Sequence, residues 1–201
     1  MSNKVDMYNL IVETAYKMFS KNGFEKTSLS MIAKEVGISK PAIYYYFDSK
    51  EKLIDVIFVG ICKKIELKFT FTFENIDAKG FKQFMLSIGY QMIEDQENDK
   101  YFNKIFNEYI LLATRNEKYL NRLYEIQKGF LKSYYDLVNY GVKIGAVEDK
   151  NIELKAHMLV MVIDNISNFI MTGFPLDYRG IWKEAINSVI KEEQYDQTLT
   201  I

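Results

Sequence analysis

Apolar residues recur at helical spacing along almost the whole chain. Tyr8, Ile11, Val12, Ala15 and Phe19 follow the i, i+3, i+4 rhythm of one buried helix face, and Asn22-Gly23 stops it. Thr27 or Ser28 then caps a second helix that turns Leu29, Ile32, Ala33 and Val36 inward, and Gly37 ends it. Ser39 caps a third, short helix reaching about Tyr46. Pro41 fits its first turn, where backbone N–H groups have no intrahelical partner. Asp48-x-x-Glu51 has the form of a capping box and predicts a longer helix to about Phe69. After the aromatic stretch 69–73, a fifth helix is predicted through Phe81, Phe84, Met85, Ile88 and Met92. A polar break follows over residues 94–100, then a sixth helix through Phe102, Ile105, Phe106 and Tyr109. The seventh carries Leu120, Leu123, Gln127, Phe130, Tyr134, Leu137, Gly141 and Ile144 inward. The eighth runs over about residues 152–171 until Gly173 and Pro175 close it, and the ninth over about 178–193. With no hairpin signal, repeat or low-complexity tract, the predicted class is all-α with about nine helices.

Composition narrows the reading by exclusion. Two prolines and 10 glycines in 201 residues suit long helices. The single cysteine, Cys62, allows no internal disulfide and fits a reducing compartment as inert core. The N-terminus lacks an apolar stretch of signal-peptide length, and no run of about 18 apolar residues occurs, so a cytoplasmic protein without a membrane partner is expected. One imidazole, His157, and one thiol make neither an ordinary metal site nor a triad, and no phosphate-cradling glycine loop is present. No metal, no cofactor and no enzymatic activity are expected. The net charge of −1 divides mildly: residues 1–53 carry eight lysines against six acids. That permits a phosphate footprint without demanding one. The three arginines, Arg115, Arg122 and Arg179, all lie beyond that segment, so base readout there cannot rest on arginine–guanine pairs.

Chemistry concentrates in residues 15–53. Two closely crossing helices need a small residue at the crossing and a positive-φ residue in the turn, and Ala33, Gly37 and Ile38 have that spacing. Ile43 and Phe47 pin the short third helix inward, which leaves Lys40, Ala42, Tyr44 and Tyr45 facing out. Consecutive tyrosines on a solvent face have no packing role there. Against DNA they have one, the ring lying on sugar or thymine methyl while the hydroxyl bonds phosphate.

The run Ala15, Phe19, Gly23-Phe24, Thr27-Ser28-Leu29, Ile32-Ala33, Val36-Gly37-Ile38-Ser39, Ile43-Tyr44-Tyr45-Tyr46-Phe47, Ser49-Lys50-Glu51 and Leu53 resembles, without a gap, the DNA-binding domain of the TetR family of transcriptional regulators. The resemblance covers about the first quarter of the chain. It implies a helix-turn-helix DNA-binding domain over residues 1–48 and a ligand-binding and dimerisation domain over 49–201. It further implies that Ser28 and Ser30 touch phosphate or a base, and that Ser39, Lys40, Pro41 and Ala42 open the recognition helix. Tyr44, Tyr45 and Tyr46 would meet sugar–phosphate and thymine methyls, and Lys50 a phosphate. Ser30 is short where some members carry a longer base-reading side chain, which weakens sequence readout by the second helix.

The resemblance also implies a homodimer on a double-stranded operator, joined through the last two helices. Leu154, His157, Met161, Asp164, Asn165 and Phe169 on the eighth helix, with Trp182, Ile186 and Val189 on the ninth, are the candidate interface. Phe84, Met85, Met92, Phe102, Phe106, Tyr109, Phe130, Tyr134 and Met158 are candidate walls of a pocket for a hydrophobic small molecule, and the acids Glu108 and Asp164 could answer a cationic one. Two readings stay open: a ligand-released repressor on a palindromic operator, and an effector-less architectural or division-control protein on the same scaffold.

Overall fold

The computed structural model describes residues 2–73, 75–99 and 101–191. Among them are nine helices: α1 (Ser2–Asn22), α2 (Leu29–Val36), α3 (Lys40–Tyr46), α4 (Lys50–Lys68), α5 (Ala78–Asn98), α6 (Phe102–Ala113), α7 (Glu117–Lys143), α8 (Ile152–Thr172) and α9 (Tyr178–Asn187). The only extended pairing described is an isolated bridge between Val147 and Ile190. The all-α expectation therefore holds. The chain divides into two compact units, Met1–Phe69 with Asp99–Lys128, and Thr70–Asn98 with Gly129–Ile201.

In the first unit, α1 packs on α2, α4 and α6, and α2 on α3. Its core runs from Ile11, Ala15 and Phe19 through Ile32, Ile43 and Phe47 to Leu53, Phe58, Ile105 and Tyr109. Rings knit it together: Phe24 meets Phe19 edge-on at 5.1 Å and Tyr109 at 5.0 Å, while Phe58 lies 4.7 Å from Tyr109. The Tyr109 hydroxyl donates to the Ile54 carbonyl at 2.7 Å, and burial pushes the phenol pKa far above its ordinary value. Cys62 is buried here, and desolvation raises its thiol pKa despite the opposing Arg122 guanidinium.

Two boundaries differ from expectation. The cap of α4 is Ser49, whose Oγ accepts from the Lys52 N–H at 3.2 Å, and Asp48 stays outside the helix. Both residues are good caps. The helix that follows turns Leu53, Ile54, Ile57, Phe58, Ile61, Cys62 and Ile65 inward. The polar stretch 94–100 expected as a break is helical through Asn98, with Glu94 and Glu97 on the solvated side of α5, and Lys100 lies outside the described residues. The turn comes at Asp99. One carboxylate oxygen accepts from the Tyr101 and Phe102 N–H groups, and the other pairs with Lys64 at 2.7 Å. Burial would raise the Asp99 pKa, but Lys64 and those N–H donors outweigh it and hold the carboxyl below its ordinary value.

The second unit packs α5 against α8 and α9, and α8 against α9. Trp182, fully buried, donates its indole N–H to the Met85 carbonyl at 3.2 Å. Tyr134, also fully buried, meets Trp182 and Phe130 edge-on and directs its hydroxyl at the Met92 sulfur, 3.7 Å away. Of the predicted α7 stripe, Leu123, Phe130, Tyr134, Leu137 and Gly141 are buried and Ile144 is half-buried, but Leu120 and Gln127 face solvent and Tyr119 and Ile126 take inward places. α9 ends at Asn187 rather than near 193, because the chain leaves the helix to bridge Val147, with the Lys191 N–H bonded to the Ala146 carbonyl at 3.0 Å. Residues 192 and 193 of the expected helix lie outside the described residues.

A methyl group at Gly89 would collide with the Trp182 indole. Gly89→Ala is expected to lower stability by about 1–3 kcal/mol through overpacking, read as a shifted urea midpoint at unchanged slope.

Candidate nucleic-acid interface

The candidate interface begins at a turn. Gly23 takes φ +80°, the left-handed conformation that ends α1, and the Thr27 hydroxyl, buried, donates back to its carbonyl at 3.0 Å. Ser28 caps α2 by accepting from the Met31 N–H at 3.2 Å, which resolves the choice between it and Thr27. Gly37, at φ +82°, lets the chain reverse into α3, where Ser39 accepts from the Ala42 N–H at 3.3 Å. Ile43 and Phe47 are buried, and Tyr8 of α1 stacks on Phe47 at 5.0 Å.

This docking leaves one side of α3 in water. Lys40, Pro41, Tyr44 and Tyr45 are exposed, Tyr45 at 68%, and Ala42 and Tyr46 are partly covered. Tyr46 packs against the core and meets Tyr45 edge-on at 5.2 Å. Ser30 is exposed on α2, but the hydroxyls of Ser28 and Ser39 already serve their helices as caps. The exposed α3 side chains thus offer one ammonium, two phenols and apolar atoms, with no arginine or carboxamide. Such a surface bonds phosphate and touches methyl groups, and it lacks the bidentate groups that read purines.

The ammonium of Lys50, expected at a phosphate, donates to the Phe24 carbonyl at 2.9 Å, while the Phe24 N–H donates to Glu108 of α6 at 2.9 Å. Both polar groups of Phe24 are therefore held by side chains, one from α4 and one from α6. Glu108, expected as a ligand-facing acid, is instead the anchor of the turn ahead of the reader. The sequence analysis also passed over Lys4. This α1 residue donates to the Tyr45 hydroxyl at 2.9 Å and lies 4.6 Å above its ring. No local signal could join residues 41 positions apart.

The remaining candidates divide between the units. Phe102, Phe106, Glu108 and Tyr109 belong to the first, with the Phe102 and Phe106 rings stacked at 5.8 Å. Phe84, Met85, Met92, Phe130, Tyr134 and Met158 belong to the second. Met158 is not with the buried core there. It lines an open apolar groove of about 560 Å³ along α8 and α9 with Leu154, His157, Met161, Val162, Asn165, Ile166, Phe169, Leu176, Tyr178 and Ile181. Five of the six α8 interface candidates thus line one groove, and Asp164 lies outside it. The α9 candidates do not line it: Trp182, Ile186 and Val189 are buried inside their own unit, so they offer no surface to a second copy. Asp164 lies on the same helix, and burial raises its carboxyl pKa. No cluster of metal-binding side chains occurs among the described residues, and no described helix is long and apolar enough to cross a membrane.

Comparison with known proteins converges on this geometry. Residues 11–57 match the family model for bacterial regulatory proteins of the tetR family. The HTH-type transcriptional regulator YhgD of Bacillus subtilis is 26% identical over 178 residues, covering 88% of this chain and 91% of that one. IcaR of Staphylococcus aureus, the HTH-type negative transcriptional regulator of the biofilm operon icaADBC, is 26% identical over 178 residues, covering 74% and 93%. Among solved structures, SmeT in complex with triclosan shares the fold with a TM-score of 0.70 at 13% identity, over 94% of this chain and 93% of that one.

Glu108→Ala strips the Phe24 N–H of its acceptor and is expected to cost about 1–3 kcal/mol in chemical denaturation. Glu108→Gln keeps an acceptor oxygen and should retain most of that stability.

Proposed function

We propose that this chain, which belongs to the TetR family of bacterial transcriptional regulators, is a ligand-responsive repressor that binds a palindromic operator as a homodimer and is released by a hydrophobic small molecule. The observation that carries it is the exposed side of α3, where Lys40, Pro41, Tyr44 and Tyr45 stand clear of a helix fixed from beneath by Ile43 and Phe47. The open apolar groove on α8 and α9 supports the dimer, since Leu154, Met161 and Phe169 find no cover within their own unit. A dimer also meets the requirement that paired readers stand about 34–36 Å apart, or a multiple of it, along the duplex.

Release requires that the effector favour the non-binding arrangement. A differential of about 5.5 kcal/mol shifts a population from 1:99 to 99:1. Within the first unit, the Glu108–Phe24–Lys50 contacts join α6 and α4 to the reader's leading turn, so a displacement of either helix acts on the reader. The effector's chemistry is inferred from the aromatic and methionine side chains of the second unit, with the SmeT–triclosan complex as a precedent on the same fold.

One observation favours a second reading, an effector-less architectural or division-control protein: Met85, Tyr134 and Trp182 fill one core with fully buried side chains. Trp182 is the only tryptophan and sits beside Tyr134, so its emission separates the two readings. Titration with triclosan and other ring-bearing apolar compounds should shift that emission and, with the same midpoint, weaken operator binding. A panel that moves neither signal supports the effector-less reading.

On a duplex recovered from the chain's own promoter region, Tyr45→Ala is expected to abolish retention in a gel-shift assay while gel filtration still reports a dimer. Met161→Asp should do the reverse in order, giving a monomer first and weakened binding as its consequence.

A further inference from the structure

We propose that Lys4 and Tyr45 form one clamp for a single backbone phosphate of the operator, with Lys4 as a DNA-contacting residue supplied by α1. The inference rests on the DNA-binding reading above and adds a residue from outside the helix-turn-helix.

The geometry is specific. The Lys4 ammonium lies 2.9 Å from the Tyr45 hydroxyl oxygen and 4.6 Å above the ring, while the edge of Tyr46 flanks the same ring at 5.2 Å. Tyr46 is itself half-buried against the core, so the Tyr45 ring touches both a fixed aromatic neighbour and a cation. Yet Tyr45 is 68% exposed and Lys4 is exposed too. A cation–ring contact in water contributes only about 0.5–1 kcal/mol, which makes fold stability a poor account of the arrangement. Lys17 on the same helix does what a surface lysine ordinarily does and pairs with a carboxylate one turn away, Glu13, at 2.7 Å. Lys4 pairs with a neutral phenol on the reader's exposed side.

The hydrogen-bond inventory then points outward. The Tyr45 oxygen accepts from Lys4, so its own O–H is free to donate, and the adjacent cation makes it a stronger donor. The ammonium keeps two further N–H groups. Three donors and one positive charge lie together on the exposed side of α3, and the hydrogen bond to the Tyr45 hydroxyl raises the ammonium pKa above its ordinary value. A phosphate oxygen pair is the acceptor on a duplex that matches donors and charge together.

The test uses the full chain and a duplex selected by that chain from a random pool, with affinity measured across salt concentrations. Losing one phosphate contact should flatten the slope of log K against log salt by about 0.9. Lys4→Met, which keeps the apolar stem, should show that flattening and a roughly tenfold loss at low salt. Lys4→Arg should restore the slope. Tyr45→Phe, which removes only the hydroxyl, should weaken binding, and the Lys4→Met/Tyr45→Phe double variant should lose little more than the worse single one. Thermal melts should match wild type for all four, because both groups are exposed. A Lys4→Met protein with wild-type slope and affinity overturns the clamp, as does a double variant whose losses multiply. If the unaltered chain selects no duplex at all, the DNA-binding reading itself fails, an outcome distinct from either.

Discussion

A helix of two turns has no stability of its own in water, because nucleation costs more than so few hydrogen bonds return. α3 is seven residues long. It exists as a helix only because Ile43 and Phe47 are buried beneath it and Tyr8 stacks on Phe47 from α1. That docking decides everything presented above: with two positions committed to the core, geometry assigns Lys40, Pro41, Tyr44 and Tyr45 to the other side. The side that docks α3 and the side it presents to solvent are opposite faces of one short element, and neither can be altered without regard to the other.

The same economy governs the elements leading into it. The helix-turn-helix is often treated as a self-sufficient motif, but here its leading turn is finished by side chains from elsewhere. Glu108 of α6 takes the Phe24 N–H and Lys50 of α4 supplies a donor to the Phe24 carbonyl, while the Phe24 ring sits between Phe19 and Tyr109. The packing unit containing the reader accordingly includes α4, α6 and the first part of α7. A displacement of α4 or α6 therefore acts directly on the turn that leads into α2.

What the sequence made legible follows the range of the interaction responsible. Helix identity, the glycine stops at Gly23, Gly37 and Gly173, and the caps at Ser39 and Ser28 or Thr27 depend on neighbours within a few residues, and pattern alone recovers them. The Asp48-x-x-Glu51 pattern pointed to Asp48 as the cap, whereas the adjacent Ser49, of similar capping ability, makes the bond to the Lys52 N–H. The acidic residues 94–98 looked like a break because charge mimics a loop when one face of a long helix is solvated. On α9, periodicity identified an apolar stripe but could not say which partner covers it. Trp182 and Ile186 turned out to be core, whereas Leu154 and Met161 on α8 stay uncovered. Lys4 against Tyr45, and Glu108 against Phe24, lie 41 and 84 positions apart, and no local pattern encodes them.

Anchoring a loop through its backbone has a corollary. Because Phe24 is gripped by its peptide groups and its ring, the two residues that follow, Glu25 and Lys26, remain exposed and bear none of the docking. Substitutions at those two sites meet no packing constraint, so the loop's charge can change while the helices on either side keep their places.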